Sequence, residues 1–143
     1  MDASEGLRRT FRDVPLCRIA TVAVDGSPLV APRWFVWLED ALYVATRQGG
    51  ATWMNAEIDR RVSVVIDRGR DWVDLAGVRI DGTAELLAGE HPGLRVPMSA
   101  FHEKYRPSLG GEGFERLTSS MPVLGFLRVP SGAVKAWDHR TDA

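Results

Sequence analysis

The chain has 143 residues, 45% hydrophobic and 26% charged, with a net charge of −1. That length suits one domain with a real core, and the near-neutral balance argues against nucleic acid or an anionic membrane as partner. No apolar run approaches the roughly 20 residues needed to span a bilayer, the N-terminal MDASEGLRRTFRDV is too charged for a signal peptide, and the lone Cys17 leaves no intramolecular disulfide, so a cytosolic protein is expected.

Leu7, Phe11 and Val14 fall at helical spacing, which predicts an N-terminal helix over about 4–14, stopped by Pro15. Cys17 to Val24 reads as a strand, closed by an Asp25-Gly26 turn. Pro28 to Leu38 reads as one long aromatic strand. Pro28 and Pro32 cannot donate ladder hydrogen bonds, so it belongs at an edge or bulges near Pro32. Ala41 to Thr46 is the next strand. Gly49-Gly50 then opens a helix of about eight residues with Ala51, Met54 and Ile58 on one face. Arg61 to Asp67 is a β-branched strand, and residues 68–74 form a polar loop carrying Trp72. Leu75 to Leu87 alternates again, with Gly77 and Gly82 marking bulges or close backbone approach. Pro97 to Tyr105 is predicted helical, residues 107–113 a loop with a possible short helix after it, Pro122 to Val129 a strand and Val134 to Trp137 a last extended piece. The pattern predicts an α+β fold built on about six strands, one domain over 1–143 with a barrel spanning about 16–137.

Several catalytic motifs fall away. His102-Glu103-Lys104-Tyr105-Arg106 begins like a zinc-protease helix, but Arg106 stands where the second histidine is needed. His91, His102 and His139 lack metal-ligand spacing. No G-x-S-x-G elbow and no Walker lysine occur, and Gly110-Gly111-Glu112-Gly113 follows a helix, not a strand. No acid–base pair stands out, so no catalytic residue and no metal ligand is assigned. Only Lys104 and Lys135 are lysines among the 18 basic residues, so an anion site would draw on arginine forks.

What remains lies in residues 33–55. Thr46, Arg47, the Gly49-Gly50 amides, Thr52 and Asn55 can converge on one phosphate at a helix N-terminus. The plain alternative makes Arg47 a solvated loop charge and the glycines a connector. Trp72, in polar surroundings, is the best functional candidate among the tryptophans. Trp34 and Arg33 share the strand entering this region, and Arg33 reads either as an outer-face charge or as a ligand contact.

The run from IATVAVDG through PRWFVWLED, ALYVATRQGG and ATWMNAEID to RVSVVID resembles the pyridoxamine-5′-phosphate-oxidase-like split barrels. The flavin/deazaflavin-dependent oxidoreductase branch is the most similar, through GVRIDGTAEL to VKAWDHR, over roughly residues 12–140. The resemblance implies a six-stranded antiparallel split β-barrel with short flanking helices. It implies a homodimer with two interface sites for F420 or FMN, and a hydride transfer to or from a small-molecule substrate. The ring is then expected against Pro32, Arg33, Trp34 and Phe35. The phosphate is expected over Thr46 to Asn55, with Arg47, Gly50 and Thr52. Trp72 and Trp137 are expected to approach from the other subunit. The chain departs from the family's S-R-K-x-x-N helix start: Gly50-Ala51-Thr52-Trp53-Met54-Asn55 keeps the asparagine and loses the cations. Each lost charge-assisted bond is worth roughly 1.5–3 kcal/mol. That loss favours an alternative from another class, a non-catalytic barrel holding a planar or hydrophobic ligand such as a tetrapyrrole or lipid.

Overall fold

The computed structural model describes residues 3–119, 124–131 and 133–141. Nine strands and three α-helices occur among them, where six strands were expected. Helix α1 (Ala3–Phe11) precedes β1 (Cys17–Val22), β2 (Pro28–Arg33), β3 (Phe35–Trp37) and β4 (Ala41–Arg47). Helix α2 (Ala51–Ile58), β5 (Arg61–Arg68), β6 (Ala76–Thr83) and β7 (Glu85–Leu87) follow. Helix α3 (Arg95–Ser119), β8 (Leu124–Pro130) and β9 (Ala133–Asp138) complete the order.

The strands form two antiparallel sheets, ordered β2-β1-β5-β6-β9 and β3-β4-β8-β7. The excess over six strands has a simple cause. Two runs that read as single strands each turn a corner and change sheets. Pro28 to Leu38 breaks at Trp34, so β2 and β3 belong to different sheets. Leu75 to Leu87 breaks at Ala84 in the same way. Alternation in sequence survives such a corner, because both arms keep period two. The last short piece is a full edge strand, pairing Ala133 to Asp138 with Asp81 to Ala76.

Two helical expectations also shift. Helix α1 ends at Phe11, before Val14. The predicted loop 107–113 is helical: α3 runs from Arg95 to Ser119 and carries Pro107 inside it. It kinks at Gly110, whose φ of 67° is accessible mainly to glycine. Residues 122–123 of the predicted last long strand lie outside the described residues.

Strand β4 explains the layering. Its Leu42 and Val44 face the other sheet and join Ile19, Val64, Ile66, Ile80 and Leu127 in one dry core. Tyr43 and Ala45, one step out of phase, face α3 and pack with Phe101, Tyr105 and Phe126 in a second. Both faces of β4 are therefore buried, as its unbroken apolar sequence requires.

Two glycines on strands make room for tryptophans. A Cβ at Gly125 would lie 2.7 Å from the Trp53 ring and 3.0 Å from the Leu87 carbonyl oxygen. One at Gly77 would collide with Trp137, which confirms the close approach expected there. Gly125→Ala is predicted to cost about 1–3 kcal/mol through overpacking, read as a lower urea midpoint. Gly6→Ala, with nothing within 4 Å, is the control and is expected to leave the midpoint unchanged or raised.

Candidate functional site

The β2–β3 corner is fixed from α3. Phe35 donates its N–H to the Tyr105 hydroxyl at 2.9 Å. That hydroxyl faces the carbonyls of Pro15 at 2.9 Å and Phe35 at 3.0 Å, and its single proton serves one of them at a time. Lys104 donates to the carbonyls of Val14 at 2.8 Å and Phe35 at 2.9 Å. Its ammonium also sits 3.5 Å from the Phe35 ring centroid, a cation–π contact. Trp34, at the bend, lays its indole on the Tyr105 ring at 4.5 Å and 8°. Its carbonyl still accepts from Ala45 at 2.8 Å.

Beside this corner lies a cavity of about 460 Å³. Pro32, Arg33, Trp34, Thr46 and Arg47 line it, with Leu16, Ala45, Phe101 and Leu124. Five of the ten residues singled out from sequence thus meet around one space. Arg33 is held in place: one guanidinium nitrogen donates to the Pro32 carbonyl at 2.8 Å, the other to the Thr52 hydroxyl at 3.1 Å. Thr52 is fully buried, so this bond ties the end of β2 to the first turn of α2. Arg47 is exposed.

The α2 start has the expected construction. Gly49 has φ 82°. Gly50 is the N-cap, without a side-chain cap and without an acidic residue in the first turn. The leading amides of such a helix have no intrahelical partner. A Cβ at Gly50 would come within 3.2 Å of the Arg47 carbonyl oxygen, so the turn is tight. Trp53 stands in the helix-start motif but is only 8% exposed and fills the core against Gly125.

Other expected residues go elsewhere. Asn55 donates to the Thr21 hydroxyl at 3.1 Å and ties α2 to β1. Trp72 is 76% exposed in a 3-10 turn, Trp72–Asp74, and tilts against His139 at 4.5 Å. His139 Nδ1 lies 2.6 Å from the Trp72 carbonyl oxygen. Trp137 packs over Gly77 on β9. Strands β2 and β9 are opposite edges of the five-stranded sheet. Four inter-strand spacings, roughly 19 Å, separate them along that sheet. Trp137 lines a separate cavity with Leu7, Phe11 and Arg140, so within one chain it does not join Arg33 and Trp34.

Sequence reading missed Phe101, Leu16 and Leu124 as cavity walls, and Lys104 and Tyr105 as the supports of the corner. The helix predicted over Pro97 to Tyr105 contains both Phe101 and Tyr105, but what it packs against leaves no trace in the sequence. This region is dry. Burial pushes the Cys17 thiol up to about 12 and raises Tyr105, and it brings the Lys104 ammonium down to about 8. Among the described residues, no group of three or more His, Cys, Asp or Glu is placed to hold a metal, and no helix is long and apolar enough to cross a membrane.

A family model described as pyridoxamine 5′-phosphate oxidase matches residues 3–122. No curated protein matches the sequence. Among solved structures, the conserved hypothetical protein Rv2991 from Mycobacterium tuberculosis is 24% identical with a TM-score of 0.78, covering 98% of this chain and 86% of its own. A FAD-binding protein from Mesorhizobium loti is 20% identical with a TM-score of 0.70, covering 95% of this chain and 92% of its own. HutZ, the haem storage protein from Vibrio cholerae, is 16% identical with a TM-score of 0.70, covering 92% of this chain and 89% of its own. These likenesses show a shared fold.

The Lys104 environment has a measurable signature. The folded chain releases this proton near 8, the unfolded chain near the ordinary 10.5. Between those values the unfolded state holds more protons, so this group's contribution to stability increases with pH there. Cys17 opposes it above its ordinary 9.0, so a variant isolates Lys104. Relative to Lys104→Met, the native chain is predicted to gain about 1 kcal/mol between pH 7.5 and 9.5, discounted for the side chain's partial exposure. Urea unfolding of both at each pH measures it.

Proposed function

The chain belongs to the pyridoxamine 5′-phosphate oxidase family, and on that footing we propose that it is a flavin- or deazaflavin-dependent oxidoreductase. In this reading FMN or F420 occupies the corner cavity, and a hydride moves between its ring and a small organic substrate. The observation that carries the reading is the meeting of Pro32, Arg33, Trp34, Thr46 and Arg47 around one cavity beside an uncapped helix start.

The residues present fit such a group. Arg33 and Arg47 supply charge to a phosphate, with the Thr46 hydroxyl and the α2 amides as further donors, while the fully buried Thr52 serves by holding Arg33 in place. Trp34 and Phe101 provide flat and apolar walls. When bound, the cofactor supplies the hydride chemistry. The chain orients it and keeps water from the ring. Among the described residues the cavity wall carries no carboxylate, histidine or thiol, so no proton donor is assigned within one chain. We further infer a homodimer in which Trp72 and Trp137 serve the partner's cavity; exposed Trp72 and Val73 support that placement.

One observation favours the second reading, a non-catalytic carrier of a planar hydrophobic ligand. Six of the nine lining residues are apolar, and Ala51 and Thr52 stand where the family motif carries cations. The fold shared with a haem storage protein is compatible with it.

Fluorescence titration with FMN and with F420 separates the two. The oxidoreductase reading expects one of them to bind below about 100 μM, roughly −5.5 kcal/mol. Arg33→Met is then expected to weaken binding at least about tenfold, the worth of one charge-assisted hydrogen bond. If neither binds, and purified protein extracts a haem or lipid instead, the carrier reading replaces it.

A further inference from the structure

We propose that Tyr105 is a positioning residue for the corner cavity: its hydroxyl fixes the Phe35 backbone, and its ring fixes the plane of Trp34, the wall against which a flat ligand lies. The proposal rests on the reading above only for the identity of that ligand.

Three observations converge on this side chain. Tyr105 is 4% exposed, yet its hydroxyl accepts from the Phe35 N–H and reaches two carbonyls, so its polar end is fully used by the corner. Its ring lies almost parallel to the Trp34 indole, at 8°. Phe101, one turn earlier on α3, tilts against both rings, 5.8 Å from Trp34 and 4.9 Å from Tyr105, and lines the same cavity. Trp34 is thus backed on its far side by a stack that cannot slide without breaking the Phe35 bonds. Lys104 reinforces this from the next position, through the same Phe35 carbonyl.

The geometry also explains why the wall is rigid at a bend. A residue between two strands of different sheets has lost ladder pairing on one side and is free to swing. Here the Tyr105 hydroxyl replaces the missing pairing at the following residue. A fixed aromatic plane costs a flat ligand no ordering of the wall on binding.

The test is a mutant cycle read by near-ultraviolet circular dichroism and by FMN titration. Trp34→Phe defines the Trp34 contribution to the aromatic spectrum. Tyr105→Phe keeps the ring and removes the hydroxyl. It is expected to lose at least half of that contribution and, in the Trp34→Phe background, to change nothing further. It is also expected to raise the FMN dissociation constant about tenfold. Val64→Ala, a core truncation on β5, lowers stability without touching the stack and is expected to leave both readouts near native. If Tyr105→Phe keeps the native Trp34 signal, or binds FMN within twofold of native, the proposal is overturned. If the native chain binds no FMN, the flavin reading fails separately, and the spectroscopic cycle alone decides the role of Tyr105.

Discussion

One backbone residue, Phe35, governs the architecture around the cavity. Both of its main-chain polar groups bond to side chains of α3, and its ring carries the Lys104 ammonium. An unpaired buried amide costs about 1–3 kcal/mol, so a strand that leaves one sheet for another needs such substitutes at the bend. The arrangement divides the surface in two. Residues 32–34 line the corner cavity, while Val36, Trp37 and Leu38 line a separate one of about 560 Å³ with Arg12, Asp13 and Lys104. Phe35 and the α3 side chains that hold it form the partition.

A second constraint ties α2 to the sheet below it. The helix is short, and eight residues alone are marginal in water. Its stability comes from side-chain ties: Thr52 to Arg33, Asn55 to Thr21, and Trp53 against Gly125. Each tie turns a side chain of the helix inward, toward the sheet. The helix start is consequently held firmly and is poor in cations, which leaves Arg33 and Arg47 as the charged groups of the cavity.

Much of this was legible in the chain itself. The order of strands, the α2 helix after Gly49-Gly50 and the edge position of the proline-bearing strand follow from local chemistry. So does the neighbourhood of residues 32–34 and 46–50, because a helix start after a strand returns the chain to the strand beside it. The corners at Trp34 and Ala84 were not legible, since alternation continues through them. Nor was the partnership of Tyr105 with Phe35, which spans 70 residues of sequence and leaves no periodic trace. The helix around Gly110 was hidden for the opposite reason: Pro107 and four nearby residues of loop-forming type outweigh the local helical pattern, and tertiary packing of the first turns decides the outcome.

The borders of the two sheets have a consequence for behaviour in a crowded solution. Strands β3 and β7 are three residues each, too short to template another chain. Strand β2 carries Pro28 and Pro32, and β9 carries Lys135. Short lengths, prolines and a charge are the devices that keep open borders from zipping onto neighbours and seeding fibrils. A molecule guarded in this way does not extend its sheets onto neighbours, although Val24 and Val30 stand exposed on the adjoining hairpin and on β2.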